Sequence, residues 1–108
     1  MTGAHPFAGR KGSAARDKFA ADLFAAQGGR CRMCQAPIPA TLRGRTGQRA
    51  AVVDHLRPWR LRPDLSFEEA NLQLICRSCH AVCHSIEAAH PGDAEIIAQA
   101  KERAGQSW

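Results

Sequence analysis

No stretch of this chain is apolar for long enough to span a bilayer, and its first residues, Met1 to Phe7, carry no hydrophobic run of the signal-peptide kind. Neither a membrane anchor nor a leader is expected, and a cytoplasmic location follows. Internal repeats are absent, and so is a helix-turn-helix or other base-reading module. The chain is also short. At 108 residues it is expected to form one domain with a modest apolar core, for which a structural metal would be a useful supplement. Its five cysteines are an odd number, which speaks against a closed disulfide framework and for metal binding or catalysis.

What is present is a surplus of positive charge. Fifteen Lys+Arg stand against 10 Asp+Glu, a formal net charge of +5, and this balance favours a polyanionic partner. Hydrophobic residues reach 44%, a globular value that excludes disorder throughout.

The pattern along the chain predicts an α+β arrangement. Residues 1–12, with Arg10 and Lys11, read as a flexible basic arm, followed by one domain over 13–108 with its core at 31–90. Ala15, Phe19, Leu23 and Ala26 recur at helical steps, with Ser13 as N-cap and Gly28-Gly29 as the stop. Arg43, Arg45 and Arg49 lie in a glycine-containing basic loop. Ala50 to Leu56 is the clearest strand, and Trp59 to Leu61 is a candidate short returning strand before a loop over Pro63 to Ala70. Asn71 to Ile75 leads into a helix that starts near the second cysteine pair and runs to about His90, where Pro91-Gly92 breaks it. A last helix covers Asp93 to Arg103.

Two knuckles stand out, Cys31-x-x-Cys34 and Cys76-x-x-Cys79. A two-residue spacer lets both sulfurs of a pair converge on one ion, and two such pairs complete the four soft ligands of a structural zinc site. Cys83 is left over, and reads as a small buried hydrophobe.

The insert between the knuckles carries Asp54-His55, then Asn71, with His80 directly after the last knuckle cysteine and His84 four residues on. Phosphodiester hydrolysis needs a base for water, a cation for the leaving oxygen and groups that hold both in line. Imidazole titrates near neutrality, which suits His55 to the first role, and a carboxylate with an imidazole, Asp54 and His80, suits a divalent cation. His80 and His84 share a helical face, so His84 is either an auxiliary ligand or a cleft residue near phosphate. Histidines His5 and His90 read as structural or solvent-facing.

Val53-Asp-His-Leu-Arg-Pro58 and Asn71-Leu-Gln-Leu-Ile-Cys-Arg-Ser-Cys-His80 together resemble the HNH endonuclease signature, in the version with two CxxC knuckles. The resemblance implies a ββα-metal core flanked by N- and C-terminal helices. It implies His55 as general base, Asn71 positioning His55 through the loop, and Asp54 and His80 on a catalytic Mg2+ or Mn2+. It also implies zinc on Cys31, Cys34, Cys76 and Cys79. The expected activity is DNA cleavage or nicking to 5′-phosphate and 3′-hydroxyl ends. Many relatives carry Lys three positions after the final motif histidine, where this chain has Cys83. That phosphate contact is either missing or supplied by Arg57, Arg60 or Arg77. With Arg62 and the loop arginines Arg43, Arg45 and Arg49, these residues suit the backbone of double-stranded DNA with little sequence preference. The resemblance further implies a bacterial or phage-infected cell, with a phage packaging protein as a partner. The competing expectation is a zinc-stabilised nucleic-acid-binding module without cleavage of its own.

Overall fold

The computed structural model describes residues 5–39 and 51–106. The loop arginines Arg43, Arg45 and Arg49 and the first four residues of the basic arm lie outside the described residues. In chain order the elements are helix α1 (Gly9–Ala26), strand β1 (Ala51–His55), strand β2 (Leu72–Cys76), helix α2 (Arg77–Ala89) and helix α3 (Ala94–Gln106). Short 3-10 turns at Pro63–Leu65 and Glu69–Asn71 bridge the two strands. The result is α+β: a two-stranded antiparallel sheet and α2 form the ββα core, flanked by α1 and α3. No described helix is long and apolar enough to cross a membrane.

β1 and β2 pair in a register that sets His55 opposite Leu72, Asp54 opposite Gln73 and Ala51 opposite Cys76. One end of the ladder therefore meets the second knuckle, and the other carries Asp54 and His55. Trp59 to Leu61 does not return as a strand. The Leu61 amide instead donates to the Pro58 carbonyl at 3.0 Å, so the segment turns.

α1 begins at Gly9, four residues before Ser13, and absorbs part of the expected basic arm. The chain before it folds back. A Cβ on Gly12 would lie 2.5 Å from the Phe7 carbonyl carbon, so only glycine admits the crossing. Phe7 thereby enters the core beside Leu23, Met33, Val53, Leu74 and Ile75. At its other end α1 stops at Gly28 and Gly29, both with positive φ. The Gln27 side chain then docks on β2. Its Oε1 accepts from the Leu74 amide at 3.0 Å and its Nε2 donates to the Leu74 carbonyl at 2.9 Å.

Candidate active site

Four sulfurs converge at the knuckle end of the ladder. The Sγ atoms of Cys31, Cys34, Cys76 and Cys79 all lie within 4.8 Å of one another, and among the described residues this is the group of three or more His, Cys, Asp or Glu that could hold a metal ion. Four thiolates on one zinc at about 2.3 Å sit roughly 3.8 Å apart, and Cys34 and Cys76 are 3.7 Å apart. The Cys76 amide donates to Cys31 Sγ at 3.4 Å. Burial would push the Cys31 thiol up, but amides of Cys34, Cys76 and Met33 hydrogen-bond the sulfur and bring it down to about 7. Burial and the neighbouring cysteines push Cys79 up. Soft donors, crowded sulfurs and amides directed at them fit zinc.

At the other end of the ladder an open cleft of about 980 Å³ is lined by Asp54, His55, His80, His84 and Glu87, with His5, Trp59 and Arg60 at its side. His55 is buried. Its Nε2 lies 3.0 Å from the Ser66 carbonyl oxygen. A carbonyl only accepts, so Nε2 carries the hydrogen and the neutral ring keeps its lone pair on Nδ1. Burial lowers the His55 pKa below the ordinary histidine value, only partly offset by the Ser66 carbonyl and Asp54. Phe7 stacks on the ring with centroids 5.2 Å apart.

Asn71, also buried, bonds backbone. Its Oδ1 accepts from the Arg57 amide at 2.9 Å and its Nδ2 donates to the Arg57 carbonyl at 3.1 Å. Both ends of the side chain thus hold the residue two positions beyond His55. The Leu56 amide adds a bond to the Asn71 carbonyl at 2.8 Å. The strand bends away at Leu56–Pro58, and Asp54 and His55, neighbours on the strand, both line the cleft.

His80 and His84 point their Nε2 atoms at each other, 3.2 Å apart, one donating to the other. Two imidazole nitrogens bound to one ion at about 2.1 Å would be roughly 3.0–3.4 Å apart, so the pair fits a shared cation. Burial and the neighbouring His84 lower the His80 pKa, which keeps its nitrogen free for such a role.

Asp54 faces Lys101 on α3. The Nζ donates to Asp54 Oδ2 at 3.1 Å and Oδ1 at 3.3 Å, to the His55 carbonyl at 2.6 Å and to Glu87 Oε2 at 2.8 Å. Lys101 is fully buried. Burial alone would lower its pKa, but the Asp54 and Glu87 carboxylates outweigh this and hold it above the usual lysine value. Gln73 Nε2 also donates to Asp54 Oδ2, at 3.0 Å. Lys101 was not among the residues singled out by spacing. A lone lysine in an amphipathic helix reads as solvent-facing, and only the docking of α3 brings it here. His5, expected to be structural or solvent-facing, packs at the side of the cleft. Its ring lies 5.3 Å from Trp59 and 5.9 Å from His55, centroid to centroid.

Cys83 is fully buried, with Sγ 3.5 Å from Met33 Sδ and 3.8 Å from Gln73 Nε2. The expected arginines divide. Arg57 is held by Glu95 through two bonds, 2.7 and 2.9 Å, and Arg62 by Asp64 through two, 3.0 and 2.8 Å. Arg60 lies over the Trp59 ring, 5.7 Å from its centroid, at the cleft. Arg77 is exposed at the first turn of α2, beside His80 and His84.

Comparison with known proteins adds one finding. The family model for HNH endonuclease matches residues 31–87, more than half of the chain, from the first knuckle cysteine to Glu87. No curated protein and no solved structure gives a significant match.

Proposed function

The chain belongs to the HNH endonuclease family, and on that premise we propose that it is a metal-dependent endonuclease that hydrolyses phosphodiester bonds in double-stranded DNA with little sequence preference. The observation that carries this reading is the His55 tautomer. Nε2–H is committed to the Ser66 carbonyl, which leaves Nδ1 as a proton acceptor in a cleft that His80 and His84 share. In this reading His55 Nδ1 takes a proton from water, the hydroxide attacks phosphorus, the P–O3′ bond breaks, and the departing 3′-oxygen takes a proton from solvent to give 5′-phosphate and 3′-hydroxyl ends. Asn71 holds the loop after His55 so that the ring stays aimed. His80 and His84 are the paired residues that would hold the divalent cation, and Asp54, which lines the same cleft but forms no three-ligand cluster with them as it stands, would join them only by turning from Lys101. When bound, Mg2+ or Mn2+ supplies charge to the phosphate and the leaving oxygen. Arg60, at the cleft, and Arg77, beside His80 and His84 on its neighbouring face, would meet phosphate. The four knuckle cysteines would hold a structural zinc ion.

The test is plasmid relaxation with Mn2+ or Mg2+, beside His55→Ala. The native protein should relax or linearise plasmid. The variant should lose at least about 100-fold in rate and keep its Mn2+ affinity. A large loss of Mn2+ affinity in His55→Ala would overturn its role as base. A native protein that binds DNA yet cuts with neither cation would leave the non-cleaving binding module as the reading.

A further inference from the structure

We propose that Lys101 is a built-in cation of the cleft: from α3, outside the family match, its ammonium holds the Asp54 carboxylate, and a divalent cation must compete with it there. This rests on the reading of Asp54 as a metal ligand. The argument is one of counting. A carboxylate has about four lone-pair directions. Lys101 takes one on each Asp54 oxygen and Gln73 takes a second on Oδ2. The Cys83 thiol hydrogen-bonds the carboxylate as well, so no direction is left unengaged for a further ligand. The ammonium is itself fully satisfied, by Asp54, the His55 carbonyl and Glu87, and Lys101 is wholly buried behind the open cleft that Asp54 and Glu87 line. It therefore acts as a fixed positive charge about 3 Å from the carboxylate, in surroundings where screening is weak. Cys83 meets the same Gln73 amide that Asp54 accepts from, so position 83 borders this carboxylate and offers no charge of its own. Lys101 is thus a positioning residue that acts through Asp54. It gives the carboxylate one orientation in the absence of a divalent ion, and it opposes the arrival of that ion.

Calorimetric titration of the zinc-loaded protein with Mn2+ alone tests this without reference to cleavage. Lys101→Met keeps the stem and removes the charge, and should bind Mn2+ about tenfold more tightly or better. Asp54→Asn in parallel should bind at least about tenfold more weakly. Unchanged or weaker Mn2+ binding by a folded Lys101→Met, with Asp54→Asn weakened, would overturn the role of Lys101 and leave Asp54 as a ligand. Unchanged binding by Asp54→Asn would overturn both. If Lys101→Met fails to fold, the native protein decides. With 15N-lysine label, Mg2+ should shift the Lys101 ammonium resonance together with the His80 ring signals. An ammonium signal that stays in place while His80 responds would refute the competition.

Discussion

Replacing Asn71 by Ala removes two bonds to one residue. The Arg57 amide and the Arg57 carbonyl, at 2.9 and 3.1 Å from the side chain, lose their partners together. Each partly buried backbone group left unpaired costs about 1–2 kcal/mol, so the loss is about 2–4 kcal/mol. For a domain of this size that lowers Tm by roughly 10–25 °C. Urea unfolding of the zinc-loaded protein, followed by circular dichroism, measures it. Asn71→Asp sharpens the point. It keeps an acceptor for the Arg57 amide but turns a second oxygen towards the Arg57 carbonyl, which can only accept. It should be at least as damaging as Ala, although it is nearly isosteric. Stability within about 0.5 kcal/mol of the native protein in Asn71→Ala, the scatter of an ordinary surface change, would refute the clasp. Unchanged stability with lost Mn2+ affinity would instead make Asn71 a ligand.

The pH dependence has a definite sign. The folded His55 pKa lies below the ordinary 6.5, so in its proposed role as base His55 is neutral above that value and the cleavage rate should fall only on acidification beyond it. His5, His55 and His80 are all lowered, so the unfolded chain takes up protons before the native one does. Stability present above pH 6.5 is therefore lost as pH falls through the folded values, and a Tm that rises between pH 6.5 and 5.5 would contradict this. Cys34→Ser should misfold rather than show a clean rate defect, since binding energy at a four-cysteine site is folding energy; a well-folded, zinc-free variant by circular dichroism and metal analysis would rule out structural zinc. Arg60→Ala should weaken binding to unrelated DNA sequences equally and reduce the log–log salt slope by about 1, whereas Arg57→Ala, already paired with Glu95, should change it little. An unchanged slope in Arg60→Ala would place that residue outside the interface.

The parts legible in the sequence are those whose information is local. A CxxC spacer brings its two sulfurs together whatever the surrounding fold, and the apolar run Ala51 to Val53 and the residues Leu72, Leu74 and Ile75 belong to two strands that do pair. Family order then aligned Asp54, His55, Asn71 and His80. Contacts across long separations were not legible. Nothing in the spacing of Lys101 ties it to Asp54, 47 residues away, and nothing in Pro6-Phe7 announces a ring stacked on His55. Trp59 to Leu61 turns instead of extending because three residues are too few to distinguish a strand from a turn, and the Pro58 carbonyl accepts from the Leu61 amide. α1 started early because Gly9 and Gly12 allow a reversal that Ser13, as a side-chain cap, did not need to supply.

The Phe7 ring on His55 and the Lys101 ammonium on Asp54 come from opposite ends of the chain, and neither lies within residues 31–87. The recognisable motif is therefore smaller than the folding unit. Residues 31–87 grafted into another protein would bring the knuckles, the hairpin and α2. They would leave one face of the His55 imidazole bare and the Asp54 carboxylate without its counter-charge. A designer borrowing this HNH module would have to take α1, with Phe7 before it, and α3 as well, or rebuild both contacts in the host.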